Sequence, residues 1–154
     1  MSHAKLFLDT NIVIDYLNER DPFYESARLL MVAGRVGELN LWISSSQVTD
    51  LIYILSEGGK DKLIPEVLNR LRGLRTFVNI AQVGSAEIDT ILNTAWADPE
   101  DALLYEVALK NKADFLITRN QDDFENSVIP IMSCQEFLDW LSSEKGINYA
   151  IVTM

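Results

Sequence analysis

Five short runs of nearly continuous apolar residues alternate with longer segments of helical spacing, and that alternation narrows the chain to one class of fold. The runs are Leu6-Phe7-Leu8, Leu41-Trp42-Ile43, Phe77-Val78-Asn79-Ile80, Phe115-Leu116-Ile117 and Val128-Ile129-Pro130-Ile131. Strands that are apolar on both faces belong to a parallel sheet covered on both sides. Parallel neighbours need long crossovers, and the segments between the runs are long enough to be helices. The sequence therefore predicts an α/β layered fold around a parallel sheet.

The helical segments carry their own punctuation. Ile12, Ile14, Tyr16 and Leu17 follow the first strand, and Pro22 stands as a first-turn proline before the stripe Phe23, Ala27, Leu30 and Met31. Val48, Leu51, Ile52 and Leu55 form one helical face, which Gly58-Gly59 ends. The segment 60–75 reads as helical from about Asp61, with Pro65 as an irregularity. Ser85 is placed to cap a short helix through about Asn93. The run Asp98-Pro99-Glu100-Asp101 opens a helix with Ala102, Leu103, Leu104, Val107, Ala108 and Leu109 on most of its sides, the pattern of a buried helix. Ser133-Cys134-Gln135-Glu136 is a capping box before Phe137, Leu138, Trp140 and Leu141. No repeat or linker divides the chain, so a single domain is expected over 1–144. Residues 145–154 are left as a tail or an added edge strand.

Residue types then exclude several chemistries. The single cysteine, Cys134, leaves no internal disulfide framework, four-cysteine zinc site or CxxC pair, and the single histidine, His3, sits at the N-terminus. Ser-His-Asp triads and histidine-based zinc centres have no candidates, so any catalysis falls to carboxylates. The net charge of −10 argues against a broad basic face for duplex DNA. No run approaches the roughly 18 apolar residues of a membrane helix, and residues 1–5 do not begin a secretory leader, so a cytoplasmic location is expected.

In open α/β sheets, ligands sit beyond the carboxyl ends of the strands. Asp9 directly follows the first strand, Asp50 lies early in the helix after the second, Asp101 opens the helix before the fourth, and Asp123 falls six residues after Ile117. An ordinary account competes at each position. Asp9 suits a helix cap, Asp101 suits a first helical turn, Asp50 suits a solvated face, and Asp122 and Asp123 suit a turn. Taken singly, none decides the matter.

Taken in order, the segments Leu8-Asp9-Thr10-Asn11, Glu100-Asp101-Ala102 and Thr118-Arg119-Asn120-Gln121-Asp122-Asp123-Phe124 resemble the signature segments of PIN-domain proteins. Asp21-Pro22-Phe23-Tyr24 and the run 98–104 are most similar to the bacterial branch that holds VapC-type toxins and their stand-alone relatives. The resemblance implies a three-layer α/β/α fold with a five-stranded parallel sheet, and a metal-dependent nuclease acting mostly on RNA. It implies catalytic roles for Asp9, Asp50, Asp101 and Asp123, with Asp9, Asp101 and Asp123 as ligands of Mg²⁺ or Mn²⁺. Thr118, Asn120 and Asn11 would support the site; Arg119 is expected to touch substrate because it adjoins Asn120, and not because of the resemblance. A cognate antitoxin and a homodimer are further implied partners; no membrane partner is. Many members carry Glu where this chain has Asp50, a side chain one methylene shorter, so a weakened PIN-like RNA- or protein-binding module is the alternative.

The residue types suit that chemistry. Hydrolysis of a phosphodiester builds charge on a group that is already anionic, and hard divalent cations that counter it prefer oxygen ligands. For the RNA itself, Lys60, Lys62, Arg70, Arg72 and Arg75 gather five of thirteen cations against Asp61 and Glu66. They read either as a phosphate-binding stripe or as a solvated helix face. Two other α/β chemistries fail on the residues. A phosphoacceptor receiver domain needs an Asp after the third strand, where Ala81-Gln82-Val83 stands, and a Lys after the fifth. A DxD phosphatase needs an acid where Asn11 stands.

Overall fold

Lys5–Leu8 (β1) is the middle strand of a parallel sheet in the computed structural model, which describes residues 3–146. Two strands lie on one side of it, Asn40–Ser44 (β2) and Val78–Ala81 (β3), and two on the other, Phe115–Ile117 (β4) and Ile131–Met132 (β5). The order is β3-β2-β1-β4-β5, and every neighbouring pair is parallel. Thr10–Leu17 (α1) and Tyr24–Arg35 (α2) carry the chain from β1 to β2. Ser46–Leu55 (α3) and Ile64–Arg75 (α4) carry it on to β3. Ser85–Leu92 (α5) and Pro99–Lys110 (α6) return it across the sheet to β4, and Cys134–Lys145 (α7) follows β5. The expected five-stranded α/β/α architecture is the one observed.

Alternation along the strands sorts the side chains into two cores. Leu6, Leu8, Leu41, Ile43, Phe115 and Ile117 pack against the layer that contains α1, α2, α3, α4 and α7. Phe7 and Leu116 point the other way, onto Leu104, Val107 and Ala108 of α6, with Trp42 joining them from β2. Both faces of β1 are fully buried. At roughly 1.5–3 kcal/mol for each large apolar side chain removed from water, the central strands are the most strongly held part of the sheet.

Several element boundaries differ from the sequence-based expectation, each for a local reason. α2 opens at Tyr24, because Pro22 lies before it in the turn 21–23. α4 opens at Ile64 and not near Asp61, which makes Pro65 a first-turn residue whose missing N–H is no loss. α5 is capped at Gly84, whose N–H donates to the Glu87 carboxylate at 3.3 Å, and Ser85 is already helical. Only Ile131 and Met132 pair as β5, since Ser127 and Tyr105 hold the preceding backbone in a loop and leave Val128 exposed. Leu109 of α6 is likewise exposed. The predicted capping box of α7 is present, with Ser133 Oγ accepting from the Glu136 N–H at 3.1 Å. α7 ends at Gly146, whose φ of 70° is the left-handed conformation glycine accepts most readily. The tail expected beyond it lies outside the described residues, as does its suggested part in a homodimer.

Candidate active site

The ladder between β1 and β4 ends where the chemistry begins. Leu8 is in register with Ile117, and the next step is the Asp9 N–H donating to the Ile117 carbonyl at 2.9 Å. That register sets Asp9 beside Thr118 at the carboxyl edge, where the sheet order changes direction. Thr118 Oγ1 donates to Asp9 Oδ2 at 2.7 Å, and the Thr10 N–H donates to Oδ1 at 2.7 Å. Asp9 is therefore also the cap of α1, so its ordinary and its functional accounts hold together. Thr118 is fully buried and Asp9 nearly so.

A cleft of about 360 Å³ opens above this pair. Six acids line it, Asp9, Asp50, Asp98, Glu100, Asp101 and Asp123, together with Asn11 and Asn120. Among the described residues no lysine, arginine or histidine lines it. Asp98 caps α6 by accepting from the N–H groups of Glu100 and Asp101 at 2.9 and 3.4 Å, and so aims the helix N-terminus at the cleft. On the other wall, Gln47 of α3 is buried and bridges three elements. Its amide donates to the Leu8 carbonyl at 2.9 Å and to Thr10 Oγ1 at 3.1 Å, while its carbonyl accepts from the Ser44 N–H at 2.7 Å. One turn later along α3 stands Asp50.

Crowding without a counter-cation shifts the protonation of these groups. Burial lifts the Asp9 carboxyl above its ordinary range, the bonds from Thr118 and Thr10 oppose the rise, and the charges of Asp123 and Asp98 add to it. Asp101 is raised to about 7, first by burial and then by Asp9, Asp98 and Asp123. Glu100 is raised chiefly by Asp50. The acids thus feel one another across the cleft. As placed, no three Asp, Glu, His or Cys side chains among the described residues form a ready-made metal cage. The donor chemistry still fits a hard divalent ion, because Mg²⁺ takes one or two carboxylates and completes its shell with water. A bound cation would offset both the burial that chiefly raises Asp101 and the repulsion from Asp9, Asp98 and Asp123 that adds to it.

Of the residues singled out in the sequence, Asp9, Asn11, Asp50, Asp101, Asn120 and Asp123 all line the cleft, and Thr118 supports it from below. Arg119 does not. Its guanidinium turns away onto Asp15 of α1, with Nε at 2.8 Å from Oδ2 and one terminal nitrogen at 3.2 Å from Oδ1, and lies over the Phe23 ring at 3.9 Å. A buried carboxylate draws this side chain, so the residue expected to touch substrate is not part of the cleft's lining. The basic stripe is partly tied down as well. Arg70 donates to Asn18, Arg75 to the Val78 carbonyl, and Lys60 pairs with Glu57. Sequence reasoning did not assign Asp98, Glu100 or Gln47 to the site. The first two were visible as the opening of α6, whereas nothing local distinguishes Gln47 from a surface glutamine.

The fold and this acidic edge define a class of protein before any relative is considered, and comparison agrees. Residues 5–122 match the family model of the PIN domain, and the chain belongs to that family. Ribonuclease VapC1 of Aquifex aeolicus (strain VF5) is 26% identical over 151 residues, which cover 90% of this chain and 96% of the relative. VapBC2 of Rickettsia felis, solved bound to a DNA fragment from its promoter, has a chain that superposes on 84% of this one. The match covers 97% of that chain, with a TM-score of 0.60 and 18% identity. A toxin–antitoxin complex from Klebsiella pneumoniae matches 84% of this chain and 97% of its own, with a TM-score of 0.61 and 20% identity. These structures share the fold. The chain is a PIN domain related, at distant identity, to the VapC toxin ribonucleases of toxin–antitoxin systems.

Proposed function

We propose that the protein is a metal-dependent ribonuclease that hydrolyses RNA phosphodiester bonds with the acids of the Asp9 cleft. The observation that carries this reading is the cleft at the carboxyl edge of β1 and β4, which six acids line and, among the described residues, no lysine, arginine or histidine. A protein gains nothing in stability from such an arrangement alone; a cation offsets it. Mg²⁺ or Mn²⁺, when bound, supplies charge neutralisation and a more acidic water.

Within that reading each side chain has a task. Asp9 and Asp101 hold the cation directly, and Asp123 does so directly or through water. Thr118 and the Thr10 N–H, each donating to one oxygen of Asp9, fix the carboxylate rotamer and leave the remaining lone pairs for a cation. Asn120 orients a ligand or a water, Asn11 lines the floor, and Asp50 takes an outer position. Asp98 holds the first turn of α6 in place, and with it Asp101. Protonated Asp101 in the metal-free protein gives up its proton as the cation binds, so metal affinity rises with pH across neutrality.

The relatives named as toxins support an extension: this chain acts as the toxin of a pair, with an antitoxin protein covering the cleft. Thermal-shift titration with Mn²⁺, together with an RNA-cleavage assay, tests the core reading on the wild type and Asp9→Asn in parallel. Stabilisation and cleavage in the wild type that vanish in the variant are the expected results. Retained cleavage in Asp9→Asn would sink the assignment. A wild type without Mn²⁺ response or cleavage would leave the weakened binding module, which the short Asp50 side chain favours.

A further inference from the structure

Resting on the nuclease reading above, we propose that Arg119 is a positioning residue, clamped by Asp15 so that Asn120 and Asp123 are presented to the cleft. Two consecutive residues leaving β4 are tied to one helix. Thr118 bonds to Asp9 at the cap of α1, and Arg119 bonds through two nitrogens to Asp15 six residues further along. At the helical rise those anchors stand about 9 Å apart along the axis. Two fixed points on a rigid helix set a direction, and the segment that departs in that direction is the turn carrying the site residues. Within it, the Asn120 N–H donates to Thr118 Oγ1 at 3.0 Å, and the Asp123 N–H donates to the Asn120 carbonyl at 3.0 Å.

The fit of the clamp explains the choice of arginine. Asp15 is almost completely buried, so its partner must present two donors in a plane, which guanidinium does and ammonium does not. Phe23 covers the guanidinium face and restricts its swing. Arg20 reaches the same carboxylate, with Nε donating to Oδ1 at 2.9 Å and a terminal nitrogen paired with it at 2.9 Å. Arg20 makes no bond to the turn. The two arginines therefore share one buried partner but differ in what lies next to them, which separates positioning from general stability.

The test uses the full chain with Arg119→Gln, Arg119→Lys and Arg20→Gln, measuring Mn²⁺ affinity, kcat and KM on RNA, and amide exchange across 120–124. Arg119→Gln is expected to lower kcat and Mn²⁺ affinity by about 10- to 100-fold, with KM nearly unchanged and exchange faster in the turn. Arg20→Gln should leave all of these near wild type. Arg119→Lys should fall between, and it carries the test if the glutamine variant does not fold. A raised KM with preserved kcat would make Arg119 a substrate contact and overturn the proposal. Equal losses in Arg20→Gln would reduce the clamp to ordinary stabilisation. If the wild type neither cleaves RNA nor binds Mn²⁺, the nuclease reading fails by itself. Exchange then decides the clamp, and unchanged protection across 120–124 in Arg119→Gln overturns it.

Discussion

Two buried aspartates, one capping α1 and one within it, are treated in opposite ways. Asp15 meets two guanidinium groups, whereas Asp9 meets a hydroxyl, an amide and the charges of other acids. The first arrangement is complete within the protein: a carboxylate taken out of water is repaid by charge-assisted hydrogen bonds. The second is incomplete. Its hydrogen bonds orient the carboxylate without neutralising it, and the neighbouring acids worsen the imbalance. Burial alone therefore does not identify a functional acid. The informative quantity is what the fold withholds from it, and at Asp9 the fold withholds a cation.

That contrast can be broken by experiment. The largest effect is expected at Asp9→Asn, which should abolish cleavage and the Mn²⁺ response. In the wild type, Mn²⁺ at about a hundredfold over its Kd should raise the melting temperature by about 5–10 °C. Without metal, the same variant should be at least as stable as the wild type, because it removes an uncompensated charge. A strongly destabilised Asp9→Asn would make Asp9 as structural as Asp15. Asp15→Ala should behave in the opposite sense, losing about 3 kcal/mol in urea denaturation without metal. That is the lower end of values for broken buried pairs, since both arginines keep some access to water.

A smaller effect follows from pH. The Asp101 carboxyl is raised from its ordinary value to about 7, so between roughly pH 4 and 7 the folded protein holds a proton that the unfolded chain has lost. Metal-free stability should therefore fall as pH rises through that window, by about 1 kcal/mol after allowance for solvent screening. Asp101→Asn should flatten the slope, and a melting series without metal checks it. The smallest change is expected at Asp50→Glu, where the longer carboxylate should raise the metal-dependent rate by about 2- to 5-fold, under 1 kcal/mol. A fall in rate would mean that Asp50, in its electrostatic contact with Glu100, is already the length this cleft requires.

The architecture was legible because it depends on local patterns. Apolar runs give strands, helical stripes give crossovers, and both survive small errors at their ends. Two of the missed boundaries share a cause: Pro22 and Pro65 each permit a helix start, yet Pro22 lies in the turn before α2 and Pro65 in the first turn of α4. The acids were legible as positions at strand ends, but their partners were not. Gln47 acts through bonds to Leu8 and Thr10, nearly forty residues away, and Arg119 through Asp15 across 104 positions. A side chain next to a site in sequence can point away from it, as Arg119 does, and no spacing rule reveals the carboxylate that draws it.

The strand order also bears on when the molecule becomes active. Asp9 is made early and Thr118 109 positions later, and the two meet only after β4 has docked beside β1. A chain that has reached only β3 has no β4 to pair with the other edge of β1. In that state Asp9 faces neither Thr118 nor Asp123, and α6 has not delivered Asp101. On the ribonuclease reading, a chain that stops short of β4 lacks the bond that orients Asp9 and the turn that carries Asn120 and Asp123, so it cannot cleave.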